Sequence, residues 1–147
     1  GSLFHVVNDM ERVGDHAQNI LEAAQLRQQE EIKFSAKAVQ ELDPLSGMVN
    51  EQLHRAMKDF REQLTGPRNQ QVVEDAEQQI DDMTEALRQH HVDRLKQHKC
   101  SAKNGMIYLD ILTNLERIGD HAENIATSVD KAFVHAIPPE IMTKMKM

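Results

Sequence analysis

Two short acidic motifs hold the side chains of this chain that are best suited to chemistry. Residues 11–20 read ERVGDHAQNI and residues 116–125 read ERIGDHAENI, so that eight of ten positions are identical. Each copy places a Glu four positions before an Asp, as Glu11 with Asp15 and as Glu116 with Asp120. Side chains at this spacing share one face of a helix, and hard cations favour clustered carboxylate oxygens. We therefore predict metal binding at both pairs. The alternative is a solvated acidic helix face.

The residues around each acidic pair predict the helices that position it. Neither motif contains proline, and the apolar residues recur at helical spacing. In each copy these residues form a stripe that should pack into a core: Met10, Val13, Ala17 and Ile20, and then Leu115, Ile118, Ala122 and Ile125. Gly14 and Gly119 fall in the middle of the predicted helices, where glycine is unfavourable by about 1 kcal/mol relative to alanine. We expect them to let another helix approach beside the carboxylates.

The motifs resemble those of a known family. The string ERIGDHAENIA at residues 116–126 resembles the signature of the phosphate-uptake regulator (PhoU) family. The string FHVVNDMERVGDHAQNI at residues 4–20 is similar to the PhoU-like domain at the cytoplasmic C-terminus of bacterial sodium/phosphate cotransporters. The resemblance implies an all-α fold of two three-helix bundles, each with an acidic motif that binds a metal cluster.

The resemblance also implies which other residues and metals take part. In the family, acidic residues on neighbouring helices help to hold the metals, which makes Asp81 and Glu77 the candidates here. Their own spacing of four also fits a solvated helix face. Iron or zinc is the metal that the resemblance favours, whereas oxygen ligands alone suit magnesium, manganese, iron or calcium.

The family places its signatures on the third and sixth helices, which has consequences for domain organisation. Residues 1–147 would then be a single PhoU-like domain, an excised fragment that lacks the first two helices. The apolar stripe of the first motif would be left uncovered, and large uncovered apolar faces mark association surfaces. We therefore expect a homodimer.

The resemblance implies a regulatory function. The expectation is a metal-binding domain of a sodium-dependent phosphate transporter that modulates phosphate uptake. Its partner would be the transmembrane portion of the parent chain, at the cytoplasmic face of the membrane, with this part itself soluble. The alternatives are a free-standing PhoU-like regulator of phosphate transport and signalling, or a purely structural interaction bundle.

Composition argues against several other classes of protein. The net charge of −7 is unsuited to a nucleic-acid partner. No apolar run approaches the roughly 18 residues of a membrane span, so we expect no direct membrane insertion. The lone Cys100 permits no internal disulfide. An enzyme of the di-metal oxidase type needs Glu-x-x-His motifs, but His16 and His121 follow their glutamates by five positions. We predict no enzyme.

Periodicity and breakers predict four long helices in an antiparallel bundle. The predicted ranges are Leu3 to Arg27, the stretch after a Ser35 cap to Leu64, Asn69 to His98, and Ala102 to His135. Pro44 predicts a kink or a short break in the second helix, and Pro138 and Pro139 should end the last one. The third helix has a heptad seam: Val73, Ala76, Ile80, Met83, Leu87, His90 and Arg94. His90 should be a core histidine, and His16 and His121 surface or packing residues.

Overall fold

The chain folds into four long helices. The computed structural model describes residues 2–63, 66–136 and 140. The helices are α1 (Ser2–Gln29), α2 (Ala36–Glu62), α3 (Pro67–Lys96) and α4 (Ala102–Ala136), and no strand occurs among the described residues. The all-α prediction is confirmed, and the predicted ends that can be compared differ from these by no more than two residues. The predictions for Leu64, for Pro138 and Pro139 and for the C-terminal tail lie outside the described residues.

Local sequence explains where the helices begin and end. The Ser35 hydroxyl accepts a hydrogen bond from the Ala38 amide at 3.1 Å, which confirms the predicted N-cap of α2. At the other end of α2, Gln63 takes a left-handed conformation with φ of 52°. Gly66 has φ of 123°, a conformation that residues with a side chain disfavour. Pro67 is the first residue of α3, where a backbone amide would have no helical hydrogen-bond partner, so proline is tolerated there.

Pro44 does not break α2. The helix is continuous from Ala36 to Glu62 with Pro44 inside it, so the short break offered as one outcome from sequence is absent. Proline removes one helical hydrogen bond. The neighbouring Leu45 is fully buried and Val49 nearly so. Packing of this face therefore holds the helix together across the proline.

Helix α4 is the centre of the architecture. It packs against α1, α2 and α3, and α2 also packs against α3. Helices α2, α3 and α4 thus form a three-helix bundle, and among the described helices α1 packs against α4 alone. Helices α3 and α4 run antiparallel, because Glu77 in α3 lies beside Gly119 while His91 near the end of α3 stacks on Tyr108. Helices α2 and α3 also run antiparallel, because Glu41 bonds Arg94 whereas Gln52 bonds Val73. This is the antiparallel arrangement predicted from sequence, with α1 outside the three-helix core.

The bundle core is centred on α4. Tyr108, Leu112, Ala122 and Ile125 are fully buried. The Tyr108 hydroxyl donates a hydrogen bond to the Ala38 carbonyl oxygen at 3.0 Å, which satisfies its polar end inside the core. All four apolar residues predicted for the second motif are buried, the most exposed being Leu115 at 8%.

The buried seam of α3 differs from the predicted heptad. Its buried residues are Val73, Glu77, Ile80, Thr84, Leu87 and His91. At three of these positions the sequence prediction chose the preceding residue, namely Ala76, Met83 and His90. It was wrong for His90, whose side chain is 55% exposed and contacts Glu41 at 2.6 Å. His91 is buried instead, stacked on Tyr108 with the ring centroids 4.0 Å apart. Glu77 and Thr84 were missed because the prediction preferred their apolar neighbours Ala76 and Met83, which also set the steps that led to His90.

Polar side chains dominate the middle of the α1–α4 contact. His16 Nδ1 lies 2.9 Å from Asn114 Oδ1, and His121 Nδ1 lies 2.8 Å from Asp9 Oδ1. The two imidazole rings stack on each other, with centroids 5.4 Å apart and an interplanar angle of 18°. Both histidines are therefore packing residues between two helices, as the sequence predicted in general terms.

Most of α1 away from α4 is exposed, including part of the stripe predicted to be buried. Ala17 is exposed, which corrects that prediction, because α4 covers the neighbouring side that carries Val13, Ile20 and Ala23. Large apolar side chains are also exposed along α1: Leu3 at 65%, Phe4 at 72%, Val7 at 49% and Leu21 at 58%. The prediction that the stripe of the first motif would be left uncovered is wrong for Met10, Val13 and Ile20, which pack against the core, and the exposed apolar residues of α1 are different ones.

Candidate metal centre

Three carboxylates meet where α3 crosses the second motif. Glu77 and Asp81 project from α3 and Asp120 from α4, and one oxygen of each lies within 4.8 Å of the others. Glu77 is buried, Asp81 is half-buried and Asp120 is exposed. The spacing of four on α3 places the first two side chains on one face, and the antiparallel neighbour brings Asp120 to the same point.

Gly119 permits this close approach of α3 to α4. A Cβ atom at this position would lie 3.3 Å from Glu77 Oε2 and 3.3 Å from the Cγ2 of the fully buried Ile80. Both distances are tighter than ordinary carbon contacts, so a side chain here would push α3 away. The role predicted for this glycine is confirmed at Gly119. At Gly14 a Cβ would meet nothing within 4 Å, so the prediction is wrong there.

Burial and mutual repulsion make the cluster unfavourable when all its members are ionised. Burial raises the pKa of Glu77 from its ordinary 4.5, and the neighbouring Asp120 and Asp81 raise it further. Burial is also the main cause of the raised pKa of Asp81, with Asp120 adding to it. Glu77 Oε2 is buried and has no hydrogen-bond partner among the described residues. A bound cation would reduce the repulsion among the carboxylates, because it supplies positive charge. It would also give Glu77 Oε2 a ligand contact.

Glu116, the other half of the second acidic pair, lies beside the cluster and not within the group of three. Its Oε1 is 3.8 Å from Arg88 Nη2, and the side chain is about one-third exposed. Burial raises the pKa of Glu116, Arg88 lowers it, and the charges of Asp120 and Asp81 raise it again. Glu116 thus interacts electrostatically with the cluster, and its carboxylate also forms an ion pair with Arg88.

A further nearby carboxylate, Glu123, was missed from sequence. Burial raises its pKa, and the charges of Asp120, Asp81 and Glu74 raise it further. Glu123 also contributes to the raised pKa of Glu77. The signal that could have found it is the comparison of the two motifs, because Gln18 stands at the matching position of the first copy.

The first acidic pair does not join any comparable group. Glu11 and Asp15 are both exposed. Among the described residues, the one set of three or more potential ligands close enough to share an ion is Glu77, Asp81 and Asp120. The difference follows from packing, because α4 lies on another side of α1 and presents no acidic residue to this pair.

The donor set suits a hard or intermediate cation. Three carboxylates give oxygen ligands only, and such sites suit magnesium, manganese, calcium or iron more than soft metals. Asp120 is open to solvent, so water could complete the coordination. The orphaned Glu77 Oε2 is the observation that fits best with a missing ligand.

Comparison with known proteins assigns the family. The family model described as the PhoU domain matches residues 42–129, which is well over half of the chain and contains the second motif with the acidic residues of α3. The chain belongs to the PhoU domain family. The PhoU resemblance inferred from sequence is thereby confirmed at the level of the family.

Two curated proteins are similar to this PhoU-domain chain. One is the phosphate-specific transport system accessory protein PhoU homolog 1 of Thermotoga maritima, 32% identical over 131 residues, covering 83% of this chain and 51% of that protein. The other is the phosphate-specific transport system accessory protein PhoU homolog of a Burkholderia species, 30% identical over 121 residues, covering 82% of this chain and 51% of that protein. The chain spans about half the length of the curated relatives it matches.

Two further searches gave negative results. No solved structure matches this PhoU-domain chain. Within the described residues, none of the helices has the length and apolar character required to cross a lipid bilayer.

Proposed function

We propose that this PhoU-family chain is a regulatory module of phosphate transport and that it binds a metal ion through Glu77, Asp81 and Asp120. Both relatives are named as accessory proteins of a phosphate-specific transport system. Those names favour the free-standing regulator over the sodium/phosphate cotransporter domain, although the first motif resembles the latter. The module would act through contacts with transport proteins and not by turning over a substrate.

The observation that carries the metal site is the unpaired oxygen of Glu77. A buried carboxylate oxygen without a partner costs free energy, and here it lies beside two further carboxylates. A cation bound by the three side chains would turn the repulsion that raises the pKa of Glu77 into attraction. Glu116 and Glu123 would add negative charge around the ion. Glu11 and Asp15, lacking acidic neighbours from another helix, would bind metal more weakly.

Metal analysis of two double variants tests the site. We expect the purified chain to hold metal that a chelator removes, and iron, manganese and zinc can be compared on reloading. Asp81→Asn with Asp120→Asn should lower metal affinity at least about tenfold, while far-UV circular dichroism remains helical. The matched control is Glu11→Gln with Asp15→Asn, which removes the same charges from the first motif. Equal metal binding by wild type and both variants would reject the proposed site.

Phosphate uptake tests the regulatory role. Cells that express this protein with Asp81→Asn and Asp120→Asn should lose the normal dependence of phosphate uptake on external phosphate. The Glu11→Gln and Asp15→Asn variant serves again as the control. Uptake that is unaltered across phosphate levels, in cells where the variant protein is present at normal amounts, would show that the role is wrong.

The predicted homodimer stays a prediction. The exposed apolar residues of α1, among them Phe4 and Leu21, provide a face that a second protein surface could cover. Sedimentation analysis of the chain with Phe4→Ser and Leu21→Ser, against wild type, measures whether this face causes self-association. We expect the wild-type chain to dimerise through this face and the variant to be monomeric.

A further inference from the structure

A cation lies at one edge of the carboxylate cluster and takes no part in the proposed coordination. The Arg88 guanidinium reaches from α3 to α4, where Nη1 donates to Thr113 Oγ1 at 3.3 Å and Nη2 lies 3.8 Å from Glu116 Oε1. Among the described residues, no other ion pair includes a carboxylate of the cluster or one beside it. A fixed positive charge at this point opposes the binding of a metal ion, so its presence needs a reason.

The positions of these residues follow from two polar helix faces. In α3, Glu77, Asp81 and Arg88 are separated by four and then seven residues, which places them on one face. The side of α4 that meets them carries Thr113, Glu116, Asp120 and Glu123. Since α3 and α4 run antiparallel, Asp120 lies beside the acidic end of the α3 face and Glu116 lies beside Arg88. The carboxylates therefore form a row that ends at a guanidinium.

Charges of both signs act on Glu116. For Glu77 and Glu123, the neighbouring charges that raise the pKa are all acidic. Burial raises the pKa of Glu116 most, and the next influence is the charge of Arg88, which lowers this pKa. Arg88 thus favours the ionised form of Glu116 and at the same time neutralises part of its charge.

The contact between Arg88 and Glu116 is able to separate. Their side chains are 31% and 32% exposed, so packing does not lock either of them in place, and exposed ion pairs are weak. A metal ion at the cluster would attract Glu116 as well, because the charges of Asp120 and Asp81 already act on this carboxylate from close by. Glu116 therefore has two possible cationic partners, one fixed on α3 and one from solution.

We propose that Arg88 sets the metal affinity of this centre by competing with the ion for the carboxylate of Glu116. This role rests on the metal site proposed above and adds a residue that regulates it. In the metal-free chain, Arg88 compensates part of the charge of the carboxylate row. When an ion binds, Glu116 divides its charge between the ion and Arg88, so the ion is held less tightly than the carboxylates alone would hold it. Arg88 thereby keeps the ion exchangeable with solution.

Calorimetric titration of the chelator-treated chain with manganese chloride tests the proposal. Arg88→Gln should raise the affinity for Mn²⁺ at least about threefold, because the competing charge is gone. The sign is informative, since replacing a residue that only supports the fold would lower the affinity. Arg88→Lys keeps the charge and should return the affinity to within about twofold of the wild-type value. Affinity of Arg88→Gln that is equal to or below that of the wild type would overturn the proposal.

Arg117 provides the matched control. It follows Glu116 in the sequence, is exposed, and also lowers the pKa of Glu116, but less than Arg88, which forms the ion pair. Arg117→Gln removes the same charge and should raise the affinity for Mn²⁺ by less than about twofold. An equal rise for the two variants would show that general charge, and not competition for Glu116, determines the affinity.

A double-mutant cycle measures whether Arg88 acts through Glu116. In a Glu116→Gln background no carboxylate is left at this position to compete for, so Arg88→Gln should change the affinity for Mn²⁺ by less than about twofold. A rise as large as in the wild-type background would reject the competition.

Failure of this role and failure of the metal site give different results. Equal Mn²⁺ affinity of the wild type and Arg88→Gln, with binding weakened by Asp81→Asn and Asp120→Asn, would leave the site in place and remove the role of Arg88. Absence of Mn²⁺ binding in both the wild type and Arg88→Gln would reject the site and the role together.

Discussion

The two motifs are nearly identical in sequence and differ sharply in their surroundings. In the second copy Ala122 is fully buried and Gly119 is in contact with α3, whereas in the first copy Ala17 is exposed and Gly14 has open space beside it. Asp120 of the second acidic pair meets Glu77 and Asp81, and among the described residues neither Glu11 nor Asp15 joins such a group. Nearly the same ten residues therefore contribute to a carboxylate cluster in one place and to an exposed surface in the other, according to which helix lies against them.

The largest expected effect comes from the matched isoleucines. Ile125 is fully buried in the bundle, and Ile20 is partly buried between α1 and α4. Ile125→Ala should lower the free energy of unfolding by about 3–4 kcal/mol, near the upper part of the range for core truncations, and Ile20→Ala by about 1–2 kcal/mol. Urea unfolding of both variants measures the difference. Equal losses would mean that α1 is as much part of the core as α4.

The second prediction concerns the charge of the acidic cluster. Because the pKa of Glu77 is raised on folding, the folded state holds its proton more tightly than the unfolded state. The stability gained from that proton is complete below pH 4.5 and is lost as the pH rises through the raised pKa. Glu77→Gln keeps the shape and removes the charge. In the metal-free chain it should raise the free energy of unfolding at pH 7.5 by roughly 1–3 kcal/mol, and the gain should vanish near pH 4.

Thermal unfolding across this pH range, followed by circular dichroism, checks the prediction. Glu11→Gln, in the exposed first motif, is the control and should change the melting temperature little at either pH. With saturating metal the order should reverse, because a bound ion stabilises the wild type and Glu77→Gln removes a ligand. A Glu77→Gln variant that is less stable than wild type at pH 7.5 without metal would contradict the repulsion described here.

The third comparison uses the two glycines. Gly14→Ala should raise the free energy of unfolding by about 0.5–1 kcal/mol, since alanine is the better helix former and nothing obstructs its methyl group. Gly119→Ala should lower it by about 1 kcal/mol, because overpacking against Glu77 and Ile80 exceeds that gain. Chemical denaturation of the pair decides the sign of each change. Stabilisation of similar size at both positions would show that α3 can move away without cost.

The sequence predicted the elements well and their partners less well. Hydrophobic periodicity and the Ser35 cap placed the four helices. Spacing singled out Asp120, and the family resemblance added Glu77 and Asp81, which the structure brings close to it. Periodicity shows which residues share a face of a helix but not whether another helix covers that face. For this reason Ala17 was placed in a core that α4 does not build.

The polar seam residues show a second limit of the sequence. His91 and Thr84 are buried, but a pattern counted on apolar residues passes over them in favour of their neighbours. The environment of Cys100 depends on His91, which lies nine residues away in the chain and is brought close by the turn between α3 and α4. Contacts of this kind depend on tertiary structure and leave no local signal.

The polar contacts between α1 and α4 are symmetric with respect to the two motifs. His16 reaches Asn114 while His121 reaches Asp9, and Asn114 is the counterpart of Asp9 in the repeated sequence. Each histidine thus contacts the residue equivalent to its partner's contact, and the two imidazole rings stack on each other between these contacts. This is the isologous pattern of a homodimer, here formed within one chain. The two motifs are therefore related to each other as the protomers of a dimer are.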